Sequence, residues 1–90
     1  ADLFALGVTL YQLLTGELPF TGDSMANLMY NIANEPHPDI RRYRGDLPNC
    51  IGTVINKALQ KEAEQRFQTG KEMALAMRMC REHIAEMEAA

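Results

Sequence analysis

Apolar side chains fill the opening of the chain almost without interruption. Between Leu3 and Leu14 only Thr9 and Gln12 are clearly polar. A surface helix keeps one polar face, so a helix that is apolar in nearly every direction is one that meets protein on all sides. The run closes at Thr15-Gly16, where glycine adopts the left-handed conformation that ends helices, and Pro19 follows. The pattern predicts a buried first helix over about residues 2–15, with a larger body around it.

Three further helices follow at about 24–34, 48–60 and 69–88. Asp23 or Ser24 can accept bonds from the free amides of the second helix, whose apolar stripe is Met25, Leu28, Met29 and Ile32. Asn27, Asn31 and Asn34 are expected to face away and to weaken it. Pro36, Pro38 and Gly45, with Arg41, Arg42 and Arg44, mark residues 35–46 as a loop. Pro48 suits the first turn of the third helix, whose apolar face is Ile51, Val54, Ile55, Ala58 and Leu59. Thr69-Gly70-Lys71-Glu72 is a capping box, with Thr69 and Glu72 expected to satisfy each other's amides. Beyond it Met73, Met77, Cys80, Ile84 and Met87 form one stripe, which lies on the other helices or, alternatively, on a coiled-coil partner. No strand alternation, repeat or linker interrupts the series. The expected class is all-α, and residues 1–90 read as one helical unit.

The chain has 90 residues, 47% of them apolar, a formal charge of −3 and a pI near 5.3. A negative chain has no electrostatic basis for general nucleic-acid binding. The apolar run is shorter than the roughly 20 residues that cross a bilayer, and Gly7 and Gln12 interrupt it. Neither nucleic acid nor membrane is expected as a partner, and the expected location is cytoplasmic. Cys50 and Cys80 show no framework spacing, so a reduced pair is the default and a disulfide the alternative. Cys80 and His83 share a helix face, but no second pair completes a metal site; a buried thiol beside a surface imidazole is the reading preferred here.

Two blocks bring a family into view. Residues 2–20, DLFALGVTLYQLLTGELPF, and residues 57–73, KALQKEAEQRFQTGKEM, resemble two segments of the large lobe of eukaryotic-type Ser/Thr protein kinases, of the type found in bacteria. The resemblance runs to about His83 and implies an incomplete protein-kinase-like fold, from the lobe's central helix onward. It implies that Asp2 holds the catalytic loop by accepting backbone hydrogen bonds, a plain helix cap being the blander role. It implies that Thr9 and Leu13 support the apolar stack beneath the adenine. Thr9 stands where the family is usually apolar, so its hydroxyl must bond back to a carbonyl or the stack is looser. Gln12 matches a substrate-docking position that is often Glu, which puts a preference for basic substrates in doubt. Arg66 matches an arginine whose glutamate partner lies upstream of residue 1. It is therefore expected to turn to solvent or find another carboxylate.

A whole kinase domain needs about two to three times this length, so the chain is expected to be part of one. No Gly-rich loop, Val-Ala-x-Lys strand, His-Arg-Asp loop or Asp-Phe-Gly site is present, and Gly7, Gly16 and Gly22 are too scattered to cradle phosphate. No cofactor is expected on this chain, and ATP and Mg are expected for the parent only. Expected partners are the rest of the kinase domain and a protein substrate or regulator. Arg41, Arg42, Arg44 and Tyr43 read as a solvated loop, with docking of a phosphate or acidic partner the sharper alternative. An apolar first helix that three short helices cannot cover, leaving on the order of 400 Å² wet at a cost of about 10 kcal/mol, predicts self-association or helix exchange. A free-standing interaction module is the reading of a different class, and an inert structural piece is the third.

Overall fold

The computed structural model describes residues 2–89. Four α-helices are present among them: α1 (Leu3–Thr15), α2 (Met25–Asn34), α3 (Asn49–Ala58) and α4 (Gly70–Ala89). Single 3-10 turns at Ile40–Arg42 and Ala63–Gln65 punctuate the connections. All four helices lie where the apolar periodicity puts them. The two 3-10 turns do not follow from it.

Each helix end has a local cause. Gly16 takes φ 76°, and its amide donates to the carbonyl of Gln12, closing α1. Ser24, rather than Asp23, caps α2 by accepting from the Asn27 amide at 3.1 Å. Pro48 precedes α3 without a side-chain cap. At α4 only half of the expected box forms: Thr69 Oγ1 accepts from the Glu72 amide at 3.1 Å. The Glu72 carboxylate instead takes Lys57 at 3.2 Å and the Gln68 amide at 3.5 Å, because the α3 cation attracts it more than its own cap does.

The core sits between α1 and α3. Tyr11, Phe20, Ile40, Ile55 and Leu59 are buried together, and Val54, Ala58, Phe67 and Met73 form a second cluster next to them. Gly7 permits the approach: a Cβ there would stand 2.9 Å from the Ala58 Cβ and 3.2 Å from Leu59 Cδ2. The helices therefore cross with backbone close to side chain, and α1 offers a flat face to α3 at that point.

The cover of α1 is incomplete, as three short helices predict, and one expectation about α2 is corrected. The first helix is not enclosed: Gly7 and Tyr11 are its buried residues, while Leu6 and Leu13 are 44% and 75% exposed. A helix with side chains is about 10–12 Å across. The Cα atoms span only 48 × 27 × 16 Å, a slab with no thickness to wrap one. The asparagines of α2 are also not idle. Asn27 Oδ1 accepts from the Asp23 amide at 3.1 Å and Asn31 Nδ2 donates to the Thr21 carbonyl at 2.7 Å, so they fasten the preceding corner to the helix.

The cysteines are corrected as well. Cys50 on α3 and Cys80 on α4 form a disulfide, with Cα atoms 5.6 Å apart. Spacing along the chain carries no sign of it, because the pairing depends on how α4 crosses α3. Cys80 is buried as expected, but as half of this bond rather than as a free thiol.

Candidate functional site

Helix α1 has two unlike sides. Phe4, Val8, Leu10 and Leu14 pack against the core around Tyr11, on the side that meets α3. Asp2, Leu6, Thr9, Gln12 and Leu13 lie on the other side, and all are exposed. Positions 2, 6, 9 and 13 recur every four and three residues, which makes one continuous helix face. Four of the residues singled out in the sequence, Asp2, Thr9, Gln12 and Leu13, come together here. Arg66 is not on this face.

Asp2 is the cap of α1: its Oδ1 accepts from the amides of Phe4 at 3.0 Å and Ala5 at 3.2 Å. One carboxylate oxygen is thus committed to the helix while the residue stays exposed. Thr9 Oγ1 donates to the Ala5 carbonyl at 3.1 Å, so the hydroxyl is satisfied within its own helix. Leu13, at 75% exposure, carries the largest uncovered aliphatic surface of the helix.

Arg66 lines a small cleft together with Asp2 and Phe4, and departs from both expectations for it. Its Nε donates to the Gln60 carbonyl at 2.6 Å and its Nη2 to the Lys61 carbonyl at 3.1 Å, while the guanidinium sits 4.7 Å from the centre of the Phe4 ring. The half-buried cation needs neither solvent nor a carboxylate, because two carbonyls and a π face compensate it.

The basic loop is largely engaged in local bonds. Arg44 grips Asp46 through Nε at 2.9 Å and Nη2 at 2.8 Å, and its Nη1 donates to the Leu14 carbonyl at 3.0 Å. That bond to Arg44 holds the Asp46 carboxyl at about 2, below the usual carboxylate range. Arg41 donates to the Gly45 carbonyl at 3.2 Å and to Asn49 Oδ1. Arg44 therefore satisfies a free carbonyl at the end of α1. Arg42 remains exposed.

Sequence reasoning missed two residues that fix this frame. His37 stacks edge-on against both Tyr11 and Phe20, and its Nε2 donates to Asn56 Oδ1 at 2.7 Å. Lys61 donates to the Ile32 carbonyl at 2.7 Å, and its ammonium lies 4.2 Å from the Phe20 ring centre. The only signal for Lys61 was its place in the second of the two blocks that carry the resemblance, between a core helix and a turn. Nothing marked His37 beyond its position between two prolines.

Among the described residues no group of three His, Cys, Asp or Glu could hold a metal ion. No helix among them is long and apolar enough to cross a membrane.

Comparison with known proteins decides what the frame belongs to. The chain is 43% identical over 74 residues to the serine/threonine-protein kinase PknB of Mycobacterium tuberculosis (strain ATCC 25618 / H37Rv), a match covering 81% of this chain and 12% of that protein. The chain is a homologue of one segment of the bacterial serine/threonine protein kinases. It is 35% identical over 72 residues to the probable serine/threonine-protein kinase CPE1738 of Clostridium perfringens (strain 13 / Type A), covering 80% of this chain and 10% of that one. It is 32% identical over 73 residues to the serine/threonine-protein kinase PrkC of Bacillus subtilis (strain 168), covering 81% and 11%. No protein-family model matches. The chain thus spans about an eighth of the length of the kinases it matches, and its all-helical structure agrees with a segment of the kinase large lobe.

Proposed function

We propose that this chain is the helical base of a Ser/Thr protein kinase catalytic domain, and that the complete kinase moves the γ-phosphoryl of ATP to protein Ser or Thr hydroxyls with Mg. The segment's share is mechanical. Its α1 face carries the catalytic loop through Asp2 and supports the apolar stack under the adenine through Thr9 and Leu13, with Gln12 beside the substrate. The single observation that carries this reading is the division of α1: one side sealed against α3, the other exposing Asp2, Leu6, Thr9 and Leu13 in a row. A carboxylate with one oxygen capping its own helix keeps the other oxygen for a neighbouring loop. Exposed leucines alongside it give that neighbour apolar area to cover.

Residues that hold a loop act through geometry, so their loss is read in turnover rather than in nucleotide affinity. In the complete kinase, Asp2→Ala is expected to lower kcat by about 10- to 100-fold with little change in KM for ATP. Unchanged turnover in Asp2→Ala and in Leu13→Lys, with both variants folded, refutes the scaffold role. The isolated chain is expected to bind no Mg-ATP by calorimetry, since it lacks the residues that hold the nucleotide. Saturable micromolar binding refutes that.

One observation favours a second reading, a free-standing interaction module. Met25, Met29 and Tyr30 on α2 are 71%, 63% and 57% exposed, a soft, adaptable surface suited to protein partners. Beside α3, an open polar groove of about 550 Å³ lined by Arg41, Arg42, Asn49 and Asp39 offers room for a polar segment, with two cations against one carboxylate. As part of a kinase the same surfaces serve substrate or regulator docking. Charge reversal at Arg42 and Met29→Glu are expected to weaken partner binding in either case, and only the kinase reading also predicts an effect of Asp2.

A further inference from the structure

We infer that Cys50 and Cys80 form a reversible redox clasp that fixes α4 to α3, made by a hydroperoxide and opened by a dithiol. The inference rests on the bond and its surroundings and is independent of the kinase role. Cys50 lies in the first turn of α3 and Cys80 past the middle of α4, and 30 positions separate them in sequence. Up to Cys80, α4 is held by buried Met73 and half-buried Ala76. After it, only Ile84 is better than exposed, so residues 81–89 hang from the bond. The Cys50–Cys80 bond is therefore the last strong attachment of α4 to the rest of the chain.

The two sulfurs differ in access. Both cysteines border a cleft of about 320 Å³ that Thr53, Met79 and His83 also line, but Cys80 is 3% exposed whereas Cys50 is half-buried, so Cys50 is the more accessible end. A dithiol's thiolate attacks the Cys50 sulfur, and the S–S bond breaks with its electron pair going to Cys80, which takes up a proton. The second thiol of the reagent then displaces Cys50 and leaves as a cyclic disulfide, so two electrons and two protons have entered the protein. In the return direction the thiolate of Cys50 attacks the hydroperoxide and becomes a sulfenic acid with release of hydroxide or alkoxide. Cys80 attacks that sulfur, water leaves, and the bond re-forms.

The bond closes a loop of about 30 residues, so opening it relaxes the unfolded chain and frees α4. Reduction of the 90-residue chain with a dithiol is expected to lower its melting temperature by roughly 10 °C or more. Hydrogen exchange is expected to accelerate at least tenfold across residues 81–89 and to stay unchanged in α1. One equivalent of hydrogen peroxide added to the reduced protein should restore both values and remove two titratable thiols. Cys80→Ser puts a hydroxyl in the core and is open to misfolding. Cys50→Ser, at the accessible end, is the cleaner variant and should show the reduced-state exchange whatever the oxidant. Equal α4 exchange in the oxidised and reduced chains overturns the inference, and so does peroxide that leaves both thiols titratable.

Discussion

The hydroxyl of Tyr11 on α1 donates to the carbonyl of Pro38 at 2.7 Å, across 27 positions of sequence, and so ties the proline loop to the centre of the core. The ring is fully buried and packs edge-on against His37 and Tyr43. Burial, with the neighbouring Tyr43 adding to it, pushes the phenol up to about 12 from 10.0. An unfolded tyrosine loses its proton near pH 10 while the folded one keeps it, so above that pH the folded state binds more protons. The contribution is complete below pH 10 and disappears as pH rises through about 12, at most roughly 2–3 kcal/mol. Tyr11→Phe is expected to cost about 1–2 kcal/mol at pH 7, because the Pro38 carbonyl loses its partner. It should also flatten the fall in stability between pH 10 and 12 relative to the parent chain. Urea titrations at pH 7, 10 and 11.5 measure both, and identical alkaline slopes contradict the assignment.

Gly7 sets the distance between α1 and α3. In an isolated helix, Gly→Ala is favourable by about 1 kcal/mol. Here the added methyl meets Ala58 Cβ at 2.9 Å and Leu59 Cδ2 at 3.2 Å, so the helices must part. Overpacking of this kind costs about 1–3 kcal/mol and prevails over the propensity gain. Gly7→Ala is expected to lower the urea midpoint, and adding Ala58→Gly is expected to recover part of the loss. A stabilised Gly7→Ala protein shows that the crossing is looser than described.

Apolar periodicity was enough to locate α1, α2, α3 and α4, but only α3 buries most of its stripe; in α2 Leu28 and Ile32 pack while Met25 and Met29 stay exposed. Periodicity was silent on Ile40, a fully buried residue inside a Pro-rich, Arg-rich loop, since a lone apolar side chain has no period. The exposed face of α1 was legible only in part. Asp2, Thr9, Gln12 and Leu13 could be selected by motif, but apolar composition alone suggested burial, and composition does not say whether the covering partner is in the same chain. Arg66 and the cysteine pair were read wrongly for one reason: backbone carbonyls, ring faces and helix crossings are tertiary features with no sequence signature of their own.

Lys61 joins α2 to the core without an acidic partner. Its ammonium donates to Ile32 at the end of α2 and stands over the Phe20 ring, and burial lowers its pKa. A cation at a helix C-terminus is favourable, and the aromatic face adds to it. Lys61→Met keeps the stem and removes the charge. It is expected to cost about 1–2 kcal/mol and to speed hydrogen exchange in residues 29–34 first, since α2 buries no residue fully and depends on such ties. Uniform acceleration across all helices instead shows that Lys61 supports the whole core rather than this helix.

Leu13 and Leu6 bear on whether the uncovered side of α1 drives association. Both lie on the face away from α3, 75% and 44% exposed, with Thr9 between them satisfied internally and offering no charge to keep a second apolar surface away. Burying some 400 Å² there is worth about 10 kcal/mol before the entropy of association is subtracted, which leaves enough for a weak dimer at micromolar to millimolar concentration. The isolated chain is therefore expected to show concentration-dependent mass in light scattering, and Leu6→Lys with Leu13→Lys to return it to monomer. Folding should be little affected, because neither side chain is in the core. On the proposed reading, in which the rest of the domain covers this face, the same pair of lysines placed in the complete kinase should destabilise it. A strict monomer at high concentration, with no binding of an apolar dye, means that this face does not associate.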